Sequence, residues 1–377
     1  MVRTGPLTGA AAIGDGAGGF VIDEIEVRAP QHGEVRVALR ATGICHTDQA
    51  SLAWPGPLVL GHEGAGVVES VGPGVEHLWP GQPVLLNWAI PCGRCPQCQR
   101  GRGSLCERTH GVDAALGSSD PTPGHTRWRG REVQRSFKLG TFAEHTLVRA
   151  EALTPLPDDA SGRPLPMQCA CILGCGVMTG VGAAINVAQV QPGDSVVVVG
   201  CGGVGLSVVQ GARLAGAGRI IAIDRRPEAL ARARELGATH TLPSPEDDPQ
   251  HEKLAEAVRA LTDGRLADHA FEATGVAALA FLPLQLCRHG GNAVQLSGAH
   301  GPVAVEMPQF WWDKRYQVPL YGGCQPERDF PRLLAWAGSG ALQLERMVTH
   351  TYGLPQLQQA LDDMLAGRSA KGVILFG

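Results

Sequence analysis

Four cysteines crowd one short stretch: Cys92, Cys95, Cys98 and Cys106, at successive intervals of 3, 3 and 8 residues. Four thiolates around one zinc close a tetrahedron and leave no open position, so such a site is structural. Gly93 and Pro96 suit the sharp turns of a small lobe. An iron–sulfur cluster is the other group that four clustered cysteines can hold, although this spacing follows neither ferredoxin pattern. Further candidate ligands are scattered over three motifs. Cys45 opens Cys45-His46-Thr47-Asp48, His62 and Glu63 lie in Gly61-His62-Glu63-Gly64-Ala65-Gly66, and Cys175 lies in Gly174-Cys175-Gly176-Val177. Taken singly, each is equally readable as a packed thiol or a hydrogen-bonded imidazole.

A second chemistry sits in Gly200-Cys201-Gly202-Gly203-Val204-Gly205, which follows a run of four valines and opens a helix-like segment. Gly200 permits a tight turn, Gly202 lets a pyrophosphate approach the backbone, and Gly205 lets helix and strand pack closely. Gly203 and Val204 begin the helix, whose free N–H groups favour phosphate. Asp224 ends the next strand, where a carboxylate would bind the adenosine ribose hydroxyls and repel a ribose phosphate. That favours NAD over NADP. Arg225 and Arg226 are either solvated beside the adenine or attract such a phosphate.

These residues need elements to hold them. A chain of 377 residues points to two domains. Residues 20–160 read as short strands punctuated by Gly and Pro: Phe20–Arg28, Gly33–Ala41, Gly64–Val71, Gln82–Leu86 and Ala143–Arg149. Residues 177–321 instead alternate strands (Ser195–Val199, Arg219–Ile223, Asp268–Glu272, Ala293–Leu296) with helices (Gly203–Ala215, Pro227–Leu236). That alternation predicts a doubly wound parallel sheet and an α/β fold. Asp113–Arg135 reads as a surface loop, and Gly372–Phe376 as a closing strand. The chain is 44% apolar and 18% charged with a formal net charge of −4, which argues against a nucleic-acid or anionic-membrane surface. The stretch Leu7–Phe20 is too broken by glycine to be a signal-peptide core, and a cytoplasmic location is expected. Eleven cysteines, an odd number, favour metal binding over a disulfide framework.

The motifs around Cys45, Gly61, Cys92–Cys106, Gly174 and Gly200 occur in the order found in zinc-containing medium-chain alcohol dehydrogenases. The chain resembles that family from about Glu34 to Phe376. It looks most like the long-subunit branch that includes the aryl-alcohol and thiol-dependent formaldehyde enzymes. The resemblance implies a Rossmann NAD-binding domain at 177–320 and a β-rich, GroES-like catalytic domain with a zinc lobe at 1–176 and 321–377. It implies NAD, two zincs per subunit and a homodimer. Cys45, His62 and Cys175 would hold the catalytic zinc, with Glu63 able to approach it. The zinc would lower the pKa of a bound alcohol, whose hydride then passes to the nicotinamide. Asp48 would orient the imidazole of His62, and Thr47 would take the alcohol proton. His46 and Lys371 would contact the cofactor pyrophosphate.

Three features depart from the best-known members. Ala50 stands where a histidine passes the relayed proton to solvent. The segment Ser51–Pro57 is short and carries no acid, and His110 replaces an arginine of the thiol-dependent enzymes. Asn87-Trp88 nonetheless resembles a pair found in relatives that use mycothiol-like adducts. By resemblance Trp54, Trp88, Phe142 and residues near Ser297–Ala299 wall the substrate pocket. Cys169, Cys171, Cys201, Cys287 and Cys324 are left to packing. The expected activity is NAD-linked interconversion of a primary alcohol (aromatic, allylic or medium-chain) and its aldehyde. The alternatives are a thiol–formaldehyde adduct dehydrogenase and a non-catalytic binding protein on the same fold.

Overall fold

The computed structural model describes residues 5–108, 124–157, 165–245, 247–248, 250–298 and 301–377. His110, Ala299 and the first part of the 113–135 segment lie outside the described residues. The chain divides into two compact units, Met1–Cys175 with Gln325–Gly377, and Gly176–Cys324.

Among the described residues, eleven strands precede the border at Cys175: β1 Leu7–Gly14, β2 Phe20–Val27, β3 Glu34–Gly43, β4 Leu58–Val59, β5 Gly64–Val71, β6 Pro83–Leu86, β7 Thr126–Trp128, β8 Arg131–Glu132, β9 Gln134–Arg135, β10 His145–Arg149 and β11 Leu153–Pro155. The second unit contributes β12 Ser195–Val199, β13 Arg219–Asp224, β14 His240–Pro243, β15 Ala267–Glu272, β16 Cys287–Gln295 and β17 Arg315–Gln317. The chain then returns to the first unit with β18 Val348–Gly353 and β19 Lys371–Leu375.

The first unit holds two sheets, ordered β8-β7-β2-β1-β4-β9 and β11-β6-β5-β3-β19-β18, with β10 also paired to β3. β3 is the organiser: nine of its ten residues are buried, because it is paired on both edges by β5, β10 and β19. β1, Leu-Thr-Gly-Ala-Ala-Ala-Ile-Gly, has little β propensity of its own. Its antiparallel pairing to β2, from Leu7↔Val27 to Gly14↔Phe20, supplies the missing stabilisation. The glycines that break this apolar run therefore serve a hairpin. The expected loop at 113–135 is corrected over its described part, which carries β7, β8 and β9. β7 adds to the edge of β2 with Ile25 opposite Trp128, and the Trp128 indole donates to Asp23 at 2.8 Å.

The second unit is one sheet ordered β14-β13-β12-β15-β16-β17, with every pairing parallel. In chain order that is 3-2-1-4-5-6, the doubly wound dinucleotide-binding arrangement. β12, Ser-Val-Val-Val-Val, is buried along its whole length, as a central parallel strand must be. Gly176 and residues 321–324, expected in the catalytic domain, belong here. Gly322 packs so closely on the carbonyls of Met178 and Thr179 that a Cβ would lie 2.7 and 2.6 Å from them. No single helix among the described residues is long and apolar enough to cross a membrane.

Candidate metal centres and active site

The four lobe cysteines converge. Cys95 precedes a single helical turn, Pro96–Gln99, which starts on proline and carries Cys98. Gly93 takes φ +71°, a left-handed conformation that glycine adopts without strain. The Sγ atoms of Cys92, Cys95, Cys98 and Cys106 all lie within 4.8 Å of one another, and Cys95 and Cys106 are 4.0 Å apart. Zinc–sulfur bonds near 2.3 Å require tetrahedral edges of about 3.8 Å. The donor set and its spacing fit a closed zinc site.

The second cluster joins Cys45, His62, Glu63 and Cys175, again within 4.8 Å. Cys45 ends the loop before the helix α1, His46–Ser51. Asp48, in the first turn of α1, is buried. One of its oxygens accepts the Cys45 N–H at 2.9 Å, and the other pairs with His62 Nδ1 at 2.8 Å. An acceptor at Nδ1 fixes the ring proton there and frees Nε2 for a metal. His62 Nε2 is buried and has no hydrogen-bond partner among the described residues. A buried acceptor left unpaired costs free energy, and a metal ion among two thiolates removes that cost. A hydrogen bond from Cys175 holds the Cys45 thiol well below its usual range, and the same bond together with burial lifts Cys175. Thr47 is half-buried beside Asp48, while His46 and Ala50 are exposed.

Lys371, expected at the cofactor pyrophosphate, has another role. Its ammonium donates to both Glu63 oxygens at 2.6 Å and to the Ile44 carbonyl at 3.1 Å. An ammonium has three N–H donors, and all are committed here. Pairing of β19 with β3 brings Lys371 to this place. Burial pushes the Glu63 carboxyl up to about 7, against the pull of Lys371. Gly43 makes room for that carboxylate, since a Cβ there would collide with Glu63 Oε2.

The aromatic surroundings also correct one expectation. Phe142 is fully buried in a core with Leu58, Leu60 and Leu361. The ring beside the metal cluster is Phe137, whose centroid lies 4.8 Å from that of His62, 5.4 Å from Trp88 and 5.7 Å from Trp54. Phe137 has φ +53° and its neighbour Lys138 φ +61°. This left-handed kink turns Phe137 toward His62, and non-glycine residues rarely adopt it. No pattern in the sequence announces it.

In the second unit Gly200 has φ +91°, and a Cβ at Gly205 would overlap the Gly200 carbonyl. A Cβ at Gly202 would meet no atom within 4 Å. Packing within the protein therefore does not require glycine at 202, whereas space for a phosphate does. Gly202 caps the helix Gly203–Leu214, so Gly203, Val204 and Gly205 form its first turn. Asp224 Oδ2 accepts the Cys201 N–H at 2.8 Å, and Oδ1 accepts the Arg226 N–H at 2.9 Å. A carboxylate has further lone pairs for ribose hydroxyls. Arg225 is exposed.

Comparison with known proteins agrees with this arrangement. Residues 31–158 match the alcohol dehydrogenase GroES-like domain, and residues 203–339 match the zinc-binding dehydrogenase family. An S-(hydroxymethyl)glutathione dehydrogenase of Synechocystis is 37% identical, covering 94% of this chain and 95% of that protein. An alcohol dehydrogenase class-3 of Myxine glutinosa is 34% identical, over 94% and 93%. Among solved structures, an alcohol dehydrogenase zinc-binding domain protein from Burkholderia ambifaria superposes with a TM-score of 0.89 at 33% identity, covering 99% of this chain and 100% of that one. Benzyl alcohol dehydrogenase from Acinetobacter calcoaceticus gives 0.87 at 29% identity, over 98% and 100%. With both halves matched and the relatives spanned almost end to end, the chain belongs to the zinc-containing, NAD-dependent medium-chain alcohol dehydrogenases.

Proposed function

We propose that this enzyme interconverts a primary alcohol bearing an aromatic, allylic or medium-length apolar group and its aldehyde. The observation that carries this reading is the aromatic group: Trp54 and Trp88 gather on Phe137, and Phe137 faces His62. Flat rings favour an apolar or aromatic substituent over a polyol. Zinc held by Cys45, His62 and Cys175 supplies the Lewis acidity that lets an alcohol lose its proton near neutral pH. Thr47 receives that proton, Asp48 keeps His62 in its metal-binding tautomer, and Glu63 serves as the reserve ligand. Cys92, Cys95, Cys98 and Cys106 hold the structural zinc. Gly200, Gly202, Gly203, Val204 and Gly205 cradle the pyrophosphate, assisted by His46, while Asp224 and Arg225 meet the adenosine ribose.

The S-(hydroxymethyl)glutathione dehydrogenases among the relatives favour a second reading, a thiol–formaldehyde adduct as substrate. Against it, the segment Ser51–Pro57 has no acid to meet such an adduct. Turnover of formaldehyde with NAD, measured with and without glutathione or mycothiol, separates the two. A non-catalytic role is disfavoured by the complete ligand set.

We also propose a cytoplasmic homodimer. None of the eleven cysteines forms a disulfide, the state that a reducing compartment maintains. The edge strand β17 is flanked by the exposed side chains of Met307, Trp311, Trp312 and Val318, an apolar edge that a second copy would cover. Sedimentation equilibrium tests this, and a monomer at micromolar concentration contradicts it.

A further inference from the structure

We infer that the β1–β2 turn is the device that positions Trp54, with Gly16 as its positioning residue, and that this turn sets the preference for aromatic over small alcohols. The inference rests on the reading of Trp54 as a pocket wall. The turn is self-contained. Asp15 Oδ1 accepts the N–H groups of Ala17 and Gly19 at 2.7 and 3.0 Å, and Asp15 N–H donates to the Gly19 carbonyl at 3.0 Å. It fastens the segment bearing Trp54 at three places. Gly18 N–H donates to the Leu52 carbonyl at 3.1 Å. The end of β1 pairs with β4 just past the segment, Ile13 opposite Val59 and Gly14 opposite Leu58. Between these, Gly16 lies directly against the backbone of 54–56.

That middle contact is the most demanding. Gly16 takes φ +76°, and a Cβ there would lie 2.8 Å from Gly56 N and 3.0 Å from the Trp54 carbonyl. The fit is reciprocal: a Cβ at Gly56 would lie 2.9 Å from Gly16 N and from the Asp15 carbonyl carbon. Two glycines thus let two backbone segments touch, and any side chain at Gly16 must push the Trp54 segment away. Trp54 is the only residue of Ser51–Pro57 whose ring meets Phe137 among the described ring contacts, at 5.7 Å. Phe137 in turn faces His62. None of Cys45, His62 and Cys175 belongs to the displaced segment.

Gly18 provides the control. It also has a left-handed backbone, φ +99°, but a Cβ there would meet nothing within 4 Å. Gly18→Ala strains the same turn without pushing the segment. The test uses the zinc-loaded enzyme and two readouts: crystal structures of the variants, and the ratio of kcat/KM for benzyl alcohol to that for ethanol. In Gly16→Ala the Trp54 ring moves off Phe137 and the ratio falls about three- to tenfold, the size of one aromatic contact. In Gly18→Ala, which strains the Leu52 tie but adds no atom against the 54–56 backbone, both change less than in Gly16→Ala. If Gly16→Ala proves insoluble, Asp15→Ala loosens the same turn by removing two acceptor bonds, and the same direction of change is expected. An unmoved Trp54 ring and an unchanged ratio in either variant overturn the inference. Equal shifts in Gly16→Ala and Gly18→Ala also overturn it. Trp54→Ala reports on the underlying reading: if it leaves the ratio unchanged, Trp54 is not a pocket wall, and the ring position in Gly16→Ala alone then decides whether the turn positions it.

Discussion

The ring of Phe137 lies 4.8 Å from the imidazole of His62, whereas Phe142, five residues on, is sealed in the core of the same unit. Two phenylalanines in one short segment therefore do different work, and substitution separates them. Phe137→Ala should raise KM for benzyl alcohol by about tenfold, the loss of one to two aromatic contacts, with little change for ethanol. Phe142→Ala should cost about 3–5 kcal/mol of stability and leave the benzyl alcohol to ethanol ratio alone. Denaturant unfolding and steady-state kinetics on both variants check this. The reverse assignment would return Phe142 to the pocket.

The Lys371–Glu63 pair is buried, with all three ammonium donors used. Lys371→Met leaves the buried Glu63 carboxylate without its ammonium partner and should destabilise the protein by about 3–5 kcal/mol. Glu63→Gln in the same background should recover a large part of that loss, because a neutral amide is cheaper to bury. A double-mutant cycle by urea denaturation measures the coupling, and additive effects would show that the pair is not energetically linked.

How far these features were legible in the sequence depended on how local each one is. The zinc lobe and the glycine-rich turn are written in short spacing, since ligands 3 residues apart and glycines 2 and 3 apart must end up close. β12 was legible because an all-valine strand has few alternatives. The role of Lys371 depends on the antiparallel pairing of β19 with β3, hundreds of residues apart, and spacing carries no trace of it. Phe137 was missed because its position depends on a left-handed backbone at two non-glycine residues, which local propensity disfavours. In the sequence β1 reads only as a glycine-broken run, and β7–β9 as a loop, because each owes its strand geometry to a neighbour rather than to its own residues.

The two metal centres should respond independently. Cys98→Ser removes one thiolate from the lobe and should lower bound zinc from about two to about one per chain, since a closed four-sulfur site tolerates no missing ligand. His62→Ala should also lose one zinc, but from the other site, and abolish NADH formation. Elemental analysis with thermal unfolding distinguishes them: the lobe variant unfolds at lower temperature. Loss of both zincs from either variant would contradict separate sites.

Ala50 is exposed near the end of α1, and its methyl group cannot carry a proton outward. Hydride transfer should accordingly show no kinetic ionisation attributable to a histidine. Ala50→His should introduce one near pH 6.5, the ordinary range of imidazole, with the rate rising above it as the neutral base forms. The pH profile of kcat/KM for benzyl alcohol checks this. A limb near that pH already present in the parent, and removed by substituting any one histidine, would refute it.

Oxidation of aromatic or other apolar primary alcohols by hydride transfer to NAD is tested most directly by NADH absorbance during turnover of benzyl alcohol, cinnamyl alcohol, ethanol and formaldehyde, each with and without glutathione or mycothiol. The highest kcat/KM is expected for benzyl or cinnamyl alcohol, unaffected by thiol. Turnover of formaldehyde that requires a thiol and exceeds that of every free alcohol would contradict it.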